Sequence, residues 1–136
     1  MRLAADEAWR RLAESRSAVL VTIRPDGSPA PVPFVFAPLD GARLVSAVDA
    51  KPKSTRQLAR LEHIQRDPRV TVLVDHYDDD WDRLWWVRGD GAASVERSAP
   101  AGAEALNDRY AAYRAAPPAG PWIVIDLEEV TGWTAH

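Results

Sequence analysis

The chain has 136 residues, a length that predicts one domain spanning residues 1–136. Its 17 basic and 20 acidic residues give a net charge of -3, so a nucleic-acid-binding surface is not expected. The chain contains no cysteine, which excludes disulfides, thiolate metal sites and cysteine nucleophiles. Any redox chemistry therefore requires a bound cofactor. We find neither a signal-peptide pattern nor a long apolar run, and we expect a cytoplasmic protein without a membrane span.

The first residues of the chain predict a helix followed by a β-hairpin. Residues 3–16 have apolar side chains at helical spacing among charged neighbours. Residues 17–24 are rich in β-branched side chains, and residues 28–36 form the returning strand. The Pro-Asp-Gly sequence at 25–27 joins them, because its fixed φ, its side-chain turn and its glycine suit a tight reversal.

The returning strand has prolines at positions 29, 31 and 33. In a structure of period two these prolines remove N–H donors from the same flank of the strand. We therefore expect full pairing on one side only, with the carbonyl oxygens of the other flank available to a ligand or a second chain. A proline-protected edge that only prevents aggregation is the alternative.

The middle of the chain predicts a strand, a helix and a second strand. Residues 43–48 form the first strand, after a turn at Leu39-Asp40-Gly41. A helix begins at Ser54, where serine followed three residues later by glutamine matches a capping box, and it ends at Asp67-Pro68. Residues 70–74 are an uninterrupted apolar strand.

The rest of the chain completes a mainly β, α+β pattern. Its predicted elements are an acidic loop at 75–80, strands at 84–87 and 92–96 separated by a bulge or turn, a helix at 100–116, and a strand at 122–127 before a closing turn at Trp133. Six or so short strands with two to three short helices indicate an antiparallel barrel or a related sheet.

Six tryptophans are a large number for a chain of this length, and we expect some of them to line a groove or a subunit interface. They are Trp9, Trp81, Trp85, Trp86, Trp122 and Trp133. If residues 84–87 form a strand, Trp85 and Trp86 face opposite sides of it. One of them is then free to pack in the barrel while the other covers an interface or a ligand.

Positive charge is concentrated in one segment of the chain. Between Lys51 and Arg69 there are six basic and two acidic residues, a net charge of +4, which leaves 11 basic and 18 acidic residues elsewhere. A compact cationic segment on an acidic protein indicates a discrete anionic ligand.

The start of the second helix carries the groups that bind a phosphate. A helix N-terminus presents unpaired N–H groups and a partial positive charge. Charge and directional donors would come from neighbouring side chains, namely Lys51, Lys53, Ser54, Thr55 and Arg56. An ordinary capped helix with solvated basic residues is the alternative.

The motifs and their order resemble the pyridoxamine 5'-phosphate oxidase-like split β-barrel family. They are the Pro-Asp-Gly-x-Pro hairpin, Val-Ser-Ala-Val, Lys-Pro-Lys-Ser-Thr-Arg-Gln-Leu, Arg-Asp-Pro-Arg-Val and a closing Gly-Trp. The segment Asp-Pro-Arg-Val-Thr-Val-Leu-Val-Asp, with an acidic loop leading into tryptophans, is similar to the branch that uses the deazaflavin coenzyme F420. The resemblance implies a split antiparallel barrel of the FMN-binding type, and a homodimer with two cofactor sites at the subunit interface.

The resemblance also implies which residues hold the cofactor. The phosphate would lie at the basic segment described above, although FMN-binding members commonly have an arginine ahead of the lysine where this chain has Lys51-Pro52-Lys53. The ring system would lie along the returning strand, with residues of the next strand nearby and Trp85 as a further contact. These ring residues are Val32, Pro33, Phe34, Ser46 and Val48.

The leading hypothesis is an oxidoreductase in which reduced F420 delivers a hydride to an electron-poor double bond of a small substrate. An FMN-dependent oxidase or reductase of the same fold, and a non-catalytic protein that binds F420 or a flavin, are the alternatives. No catalytic residue is assigned. Tyr77, His76 and solvent are the candidate proton sources. No metal site is predicted, because the acidic loop lacks the spacing and the glycine of a calcium loop.

Overall fold

The computed structural model describes residues 1–48 and 55–136, with the side chains of residues 55–58 outside the description. Its elements, in chain order, are α1 (Ala5–Glu14), β1 (Ala18–Ile23), β2 (Pro29–Phe34), β3 (Ala37–Leu39), β4 (Arg43–Ala47), α2 (Thr55–Arg66), β5 (Arg69–His76), a 3-10 turn (Trp81–Arg83), β6 (Trp85–Glu96), α3 (Pro100–Arg109), α4 (Ala111–Ala115) and β7 (Trp122–Thr134).

The strands form one antiparallel sheet in the order β2-β1-β5-β6-β7-β4-β3. The two edge strands, β2 and β3, are consecutive in the chain, and only Val35 and Phe36 separate them. Two linking residues span at most about 11 Å between the strand ends. The sheet must therefore curl until its edges meet, which confirms the predicted split antiparallel barrel.

The barrel interior is filled by alternate residues of the strands. Leu20, Leu44, Val72, Val87 and Ile125 come from five strands and are fully buried. The helix α1 adds Ala8 and Leu12 to this core and packs against β6 and β7. Burial of such side chains is the main driving force for closing the barrel.

A second, smaller core lies on the outer side of β4 and β7, under α3. It contains Val45, Leu106 and Trp122, all buried. A Cβ at Gly102 would lie 2.7 Å from Val45 Cγ2, so glycine at this position lets α3 approach β4 closely. Among the described residues, Trp122 is the only tryptophan that is buried.

The proline-rich strand β2 lies at an edge of the sheet, as predicted. It pairs with β1 from Ala18↔Phe34 to Ile23↔Pro29, and its three prolines are exposed. Because prolines cannot donate, the ladder to β1 depends on the residues between them. The outer flank therefore carries carbonyl oxygens of prolines and no competing N–H group from them.

Several predicted boundaries were wrong, for one physical reason. The acidic loop is shorter than predicted because β5 continues through His76, and the two strands predicted at 84–96 are one strand with a bulge between Asp90 and Gly91. The last strand runs to Thr134, so Trp133 lies in β7 and not at a closing turn. Long-range pairing with neighbouring strands extends these elements through polar residues that local propensity does not favour.

The helices also differ from the prediction. The alanine-rich stretch at 100–116 is divided at Tyr110 into α3 and α4, and the described residues contain four α-helices where two to three were predicted. The short strand β3 was not predicted. Tyr110 ends α3 because its backbone is extended, with φ -120° and ψ 122°, and its side chain is hydrogen-bonded to the barrel.

Candidate functional site

A cleft of about 510 Å³ opens at the split of the barrel, between the ends of β2 and β4 and the helices α2 and α4. Its volume lies in the range of pockets that hold cofactors and small ligands. Residues that line it include Pro33, Phe34, Val35, Ser46, Arg60 and Tyr113. We call it the split cleft.

The wall formed by β2 and β4 carries a polar edge. Ser46 is almost fully buried, and its hydroxyl donates a hydrogen bond of 2.8 Å to the carbonyl oxygen of Val35. This bond ties β4 to the connection between the two edge strands. Because its proton is used in this bond, the Ser46 hydroxyl is left with acceptor capacity only. The exposed Pro33 presents its carbonyl on the outer flank of β2.

The opposite wall contains a half-buried cation, Arg60. The Nε atom of Arg60 is buried and has no hydrogen-bond partner among the described residues. Burial lowers the pKa of the Arg60 guanidinium below its ordinary value, while Tyr113 acts in the opposite direction. No carboxylate is found among the described residues that line the cleft. The split cleft is therefore a cationic site.

Tyr110 anchors the helix that closes the cleft. Its hydroxyl oxygen lies 2.7 Å from the carbonyl oxygen of Phe36 and 2.8 Å from that of Arg16, and it accepts a hydrogen bond of 3.2 Å from the Phe36 N–H. The Tyr110 ring packs edge-on against Tyr113, with ring centroids 5.8 Å apart. The position of α4 at the cleft is thus tied to the connection between β2 and β3.

A second pocket, of about 610 Å³, lies around Trp85 at the end of the barrel formed by β5, β6 and the end of α1. Arg11 lies over the Trp85 ring, with its guanidinium carbon 5.2 Å from the ring centroid, and the His76 ring stacks with it at 6.0 Å. We call this the Trp85 pocket. It is separate from the split cleft, since the two share no described lining residue.

The outer face of the sheet carries an apolar patch. Leu73 and Trp133 remain 39% and 38% exposed, and Trp86 pairs with Trp133 across β6 and β7. Trp86 also lies under Arg88, which forms an ion pair of 3.2 Å with Asp90. Trp85 and Trp86 thus face opposite sides of the sheet, as predicted.

A sequence profile of the pyridoxamine 5'-phosphate oxidase family matches residues 4–134. The chain belongs to this family. The match covers nearly the whole chain, and the seven-stranded antiparallel sheet with short helices is the family's split-barrel fold. A search of curated proteins found no match.

Solved structures of the same fold are similar to the chain at low identity. A conserved hypothetical protein from Mycobacterium tuberculosis has a TM-score of 0.74 and 21% identity, over 98% of this chain and 86% of that one. A FAD-binding protein from Mesorhizobium loti has a TM-score of 0.71 and 23% identity, over 97% and 93%. A heme-binding protein from Mycobacterium smegmatis has a TM-score of 0.69 and 20% identity, over 98% and 58%.

The structure brings together three of the predicted cofactor residues. Pro33, Phe34 and Ser46 line the split cleft. Val32 packs partly buried against the barrel core, and Val48 is 5% exposed within it. Neither of these two side chains is among the residues described as lining the cleft. Trp85 lies at the other pocket.

The predicted phosphate site falls largely outside the described residues. Lys51, Lys53 and Ser54 are not among them, and Thr55 and Arg56 are described only as the start of α2. The helix they begin nevertheless supplies Arg60 to the split cleft. The predicted phosphate site and the cleft are therefore joined by one helix.

Arg60 and Tyr113 were not predicted as site residues. Arg60 lies one helical turn before Ile64, which is 2% exposed, so its position on the buried side of α2 was readable from the spacing. An arginine on the apolar side of a helix was the available signal. Tyr113 offered no such signal, because its place depends on the break at Tyr110.

The predicted proton sources lie outside the split cleft. His76 is exposed at the Trp85 pocket, and Tyr77 is 66% exposed. The ring nitrogen Nδ1 of His63 lies 2.9 Å from the hydroxyl of the buried Thr22, so this histidine is held in the barrel wall.

Within residues 1–48 and 55–136, no cluster of three or more metal-binding side chains is found. Among those same residues, no helix has the length and apolarity that crossing a bilayer requires.

Proposed function

We propose that this protein is an oxidoreductase that binds a phosphorylated tricyclic cofactor in the split cleft, with residues 1–136 forming one cofactor-binding domain. The observation that carries the proposal is a cationic cleft at the barrel split, beside a helix that begins with a basic segment. Family membership and the likeness to a FAD-binding protein support it. The volume of about 510 Å³ and the apolar lining at Pro33 and Phe34 suit a ring system.

We assign separate roles to the two walls of the cleft. The proline carbonyls on the outer flank of β2 would accept a hydrogen bond from the imide N–H of a flavin-like ring. Val32, Pro33 and Phe34, with Ser46 and Val48 behind them, would position the ring. The phosphate would be held at the start of α2 by Lys51, Lys53, Ser54, Thr55 and Arg56.

The cofactor we propose is coenzyme F420, which would supply a hydride for an electron-poor double bond of a small substrate. The acidic segment that leads into Trp81, Trp85 and Trp86 supports this choice through its similarity to the F420-dependent branch. The protein's part is to orient the ring and to keep water from it. Tyr77 and His76 lie outside the cleft of their own subunit, so the proton would come from solvent that reaches the substrate and not the ring.

FMN is the second candidate, since the likeness to a FAD-binding protein favours a flavin. An FMN-dependent oxidase or reductase would use the same cleft. A protein that stores or delivers F420 or a flavin without turnover would also use it. Turnover with a panel of enones and quinones separates the enzymes from such a carrier.

We propose that the protein is a homodimer that pairs through the apolar patch on the outer face of the sheet. Leu73, Trp86 and Trp133 supply the apolar surface, and the ion pair between Arg88 and Asp90 borders it. The Leu73→Asp variant should then sediment as a monomer, whereas Trp81→Asp, at another exposed indole, should not. A dimer unchanged by Leu73→Asp would contradict this interface.

The test of the cofactor proposal is a parallel titration with F420, FMN and heme, followed by quenching of tryptophan fluorescence. We expect F420 to bind most tightly, and the Lys51→Ala/Lys53→Ala variant to bind it at least about tenfold more weakly, since each lost charge-assisted contact to a phosphate weakens binding. Arg97→Ala, at an exposed arginine outside both the split cleft and the Trp85 pocket, is the matched control. Equal F420 affinity in the wild type and the double variant would refute the phosphate site. Tight binding of heme alone would refute the tricyclic cofactor.

A further inference from the structure

Arg60 lies on α2, which begins at the predicted phosphate site. It is next to the part of the split cleft that we assign to the ring. It is five residues after Thr55, the first residue of α2, which places it about 7.5 Å further along the helix axis. Its side chain lines the same cavity as Pro33 and Ser46. Arg60 is therefore beside the part of the cleft that we assign to the ring, and not at the helix start.

The cation at Arg60 has no neutralising partner in the part of the chain that the structure describes. Its Nε atom is buried without a hydrogen bond, and none of the ion pairs among the described residues involves it. By contrast, Arg10 and Arg11 of α1 both form ion pairs with Glu7. A guanidinium that is half-buried without an anion is costly unless a ligand supplies the negative charge.

The ring of a flavin or deazaflavin acquires negative charge when it is reduced. A hydride carries two electrons and one proton, so a ring that accepts a hydride from a donor becomes more negative by one unit. A fixed cation close to the ring, in a site of low dielectric constant, stabilises this reduced form more than the oxidised form.

We infer that Arg60 sets the reduction potential of the cofactor by binding the reduced ring more tightly than the oxidised ring. This inference rests on the proposed function. Arg60 discriminates between the reduced and the oxidised ring by its charge. The residues at the start of α2 bind the cofactor's phosphate. Tyr113, beside it on the cleft wall, shares the site with the guanidinium.

The test compares Arg60→Gln, Arg60→Lys and the control Arg66→Gln, which removes an exposed arginine from the same helix. Dissociation constants are measured for oxidised and dithionite-reduced FMN and F420, and the reduction potential of the bound FMN is measured by equilibration with a redox dye. In Arg60→Gln the preference for the reduced ring should fall at least tenfold, equivalent to about 30 mV for a two-electron couple. Arg60→Lys should retain most of the preference, and Arg66→Gln should retain all of it.

Two outcomes would overturn the inference while leaving the proposed function intact. One is an unchanged potential in Arg60→Gln with the cofactor still bound. The other is an equal loss of affinity for both redox states, which is the result expected of a residue that only shapes the cleft. If the wild-type protein binds neither FMN nor F420, the proposed function fails first, and the inference fails with it. Thermal melting of each variant identifies any that does not fold.

Discussion

The split cleft and the Trp85 pocket are similar in size and both combine arginines with aromatic rings, yet their cations differ in what they contact. At the Trp85 pocket, Arg10 and Arg11 form ion pairs with Glu7, and Arg11 also lies over Trp85. In the split cleft, Arg60 has no such partner among the described residues. A cluster of basic residues indicates an anion site only where the protein's own carboxylates have not already neutralised it.

Of the changes considered, reversing the charge at Arg60 should have the largest effect on cofactor affinity. Arg60→Glu should weaken cofactor binding at least about 100-fold, because a carboxylate in the cleft would repel a phosphorylated ligand by several kcal/mol. Arg97→Glu, at an exposed arginine outside both pockets, should change the affinity by no more than about threefold, since exposed charges are screened. Fluorescence titration measures both. Similar losses in the two variants would mean that overall charge, and not the unpaired Arg60, attracts the ligand.

Removing the Tyr110 hydroxyl should have the second-largest effect. Tyr110→Phe removes a hydroxyl that contacts Arg16 and Phe36. Because it leaves the Phe36 N–H without this partner, we expect a loss of about 1–3 kcal/mol in the free energy of unfolding. Urea denaturation checks this, with Tyr77→Phe as the exposed control. If both variants unfold at the same urea concentration, α4 is held at the cleft by packing alone.

The Trp85→Leu variant tests whether the Trp85 pocket contributes to the cofactor site of a partner subunit. If it does, Trp85→Leu should weaken cofactor binding roughly 2- to 10-fold, the range expected for losing one aromatic contact. Trp81→Leu, at a side chain that is 69% exposed, is the control. An unchanged affinity in Trp85→Leu would remove this residue from the site and restrict the site to the split cleft.

The smallest effect should come from the ion pairs of α1. Hydrogen bonds from Arg10 and Arg11 lower the pKa of Glu7 to about 2 from its ordinary value of 4.5. The stabilisation that this provides is complete above pH 4.5 and is lost as the pH falls towards 2. The wild type should therefore be slightly more stable than Glu7→Gln at pH 6, and the two should converge near pH 2. Urea midpoints measured across this range that stay parallel would show that Glu7 is not paired in solution.

Local patterns predicted the fold class because they act over short distances. The prolines at 29, 31 and 33 predicted an edge strand, and the apolar spacing of α1 and α2 predicted helices that cover the barrel. The same patterns failed where pairing across the sheet decides the outcome. The strands β6 and β7 extend past Gly91 and Trp133 because each has a partner along its whole length. The break of the alanine-rich helix at Tyr110 likewise depends on hydrogen bonds to residues 74 and 94 positions away in the chain.

The sequence by itself determined that any redox chemistry needs a cofactor, that positive charge gathers before and along α2, and that the strands form an antiparallel barrel or a related sheet. Those properties follow from composition and from local spacing. Only the tertiary structure decided that Arg60 faces a cleft without a carboxylate partner among the described residues. The reason is that an arginine is neutralised or left available by its spatial neighbours, and for Arg60 these come from β2, β4 and α4, which lie far away in the sequence.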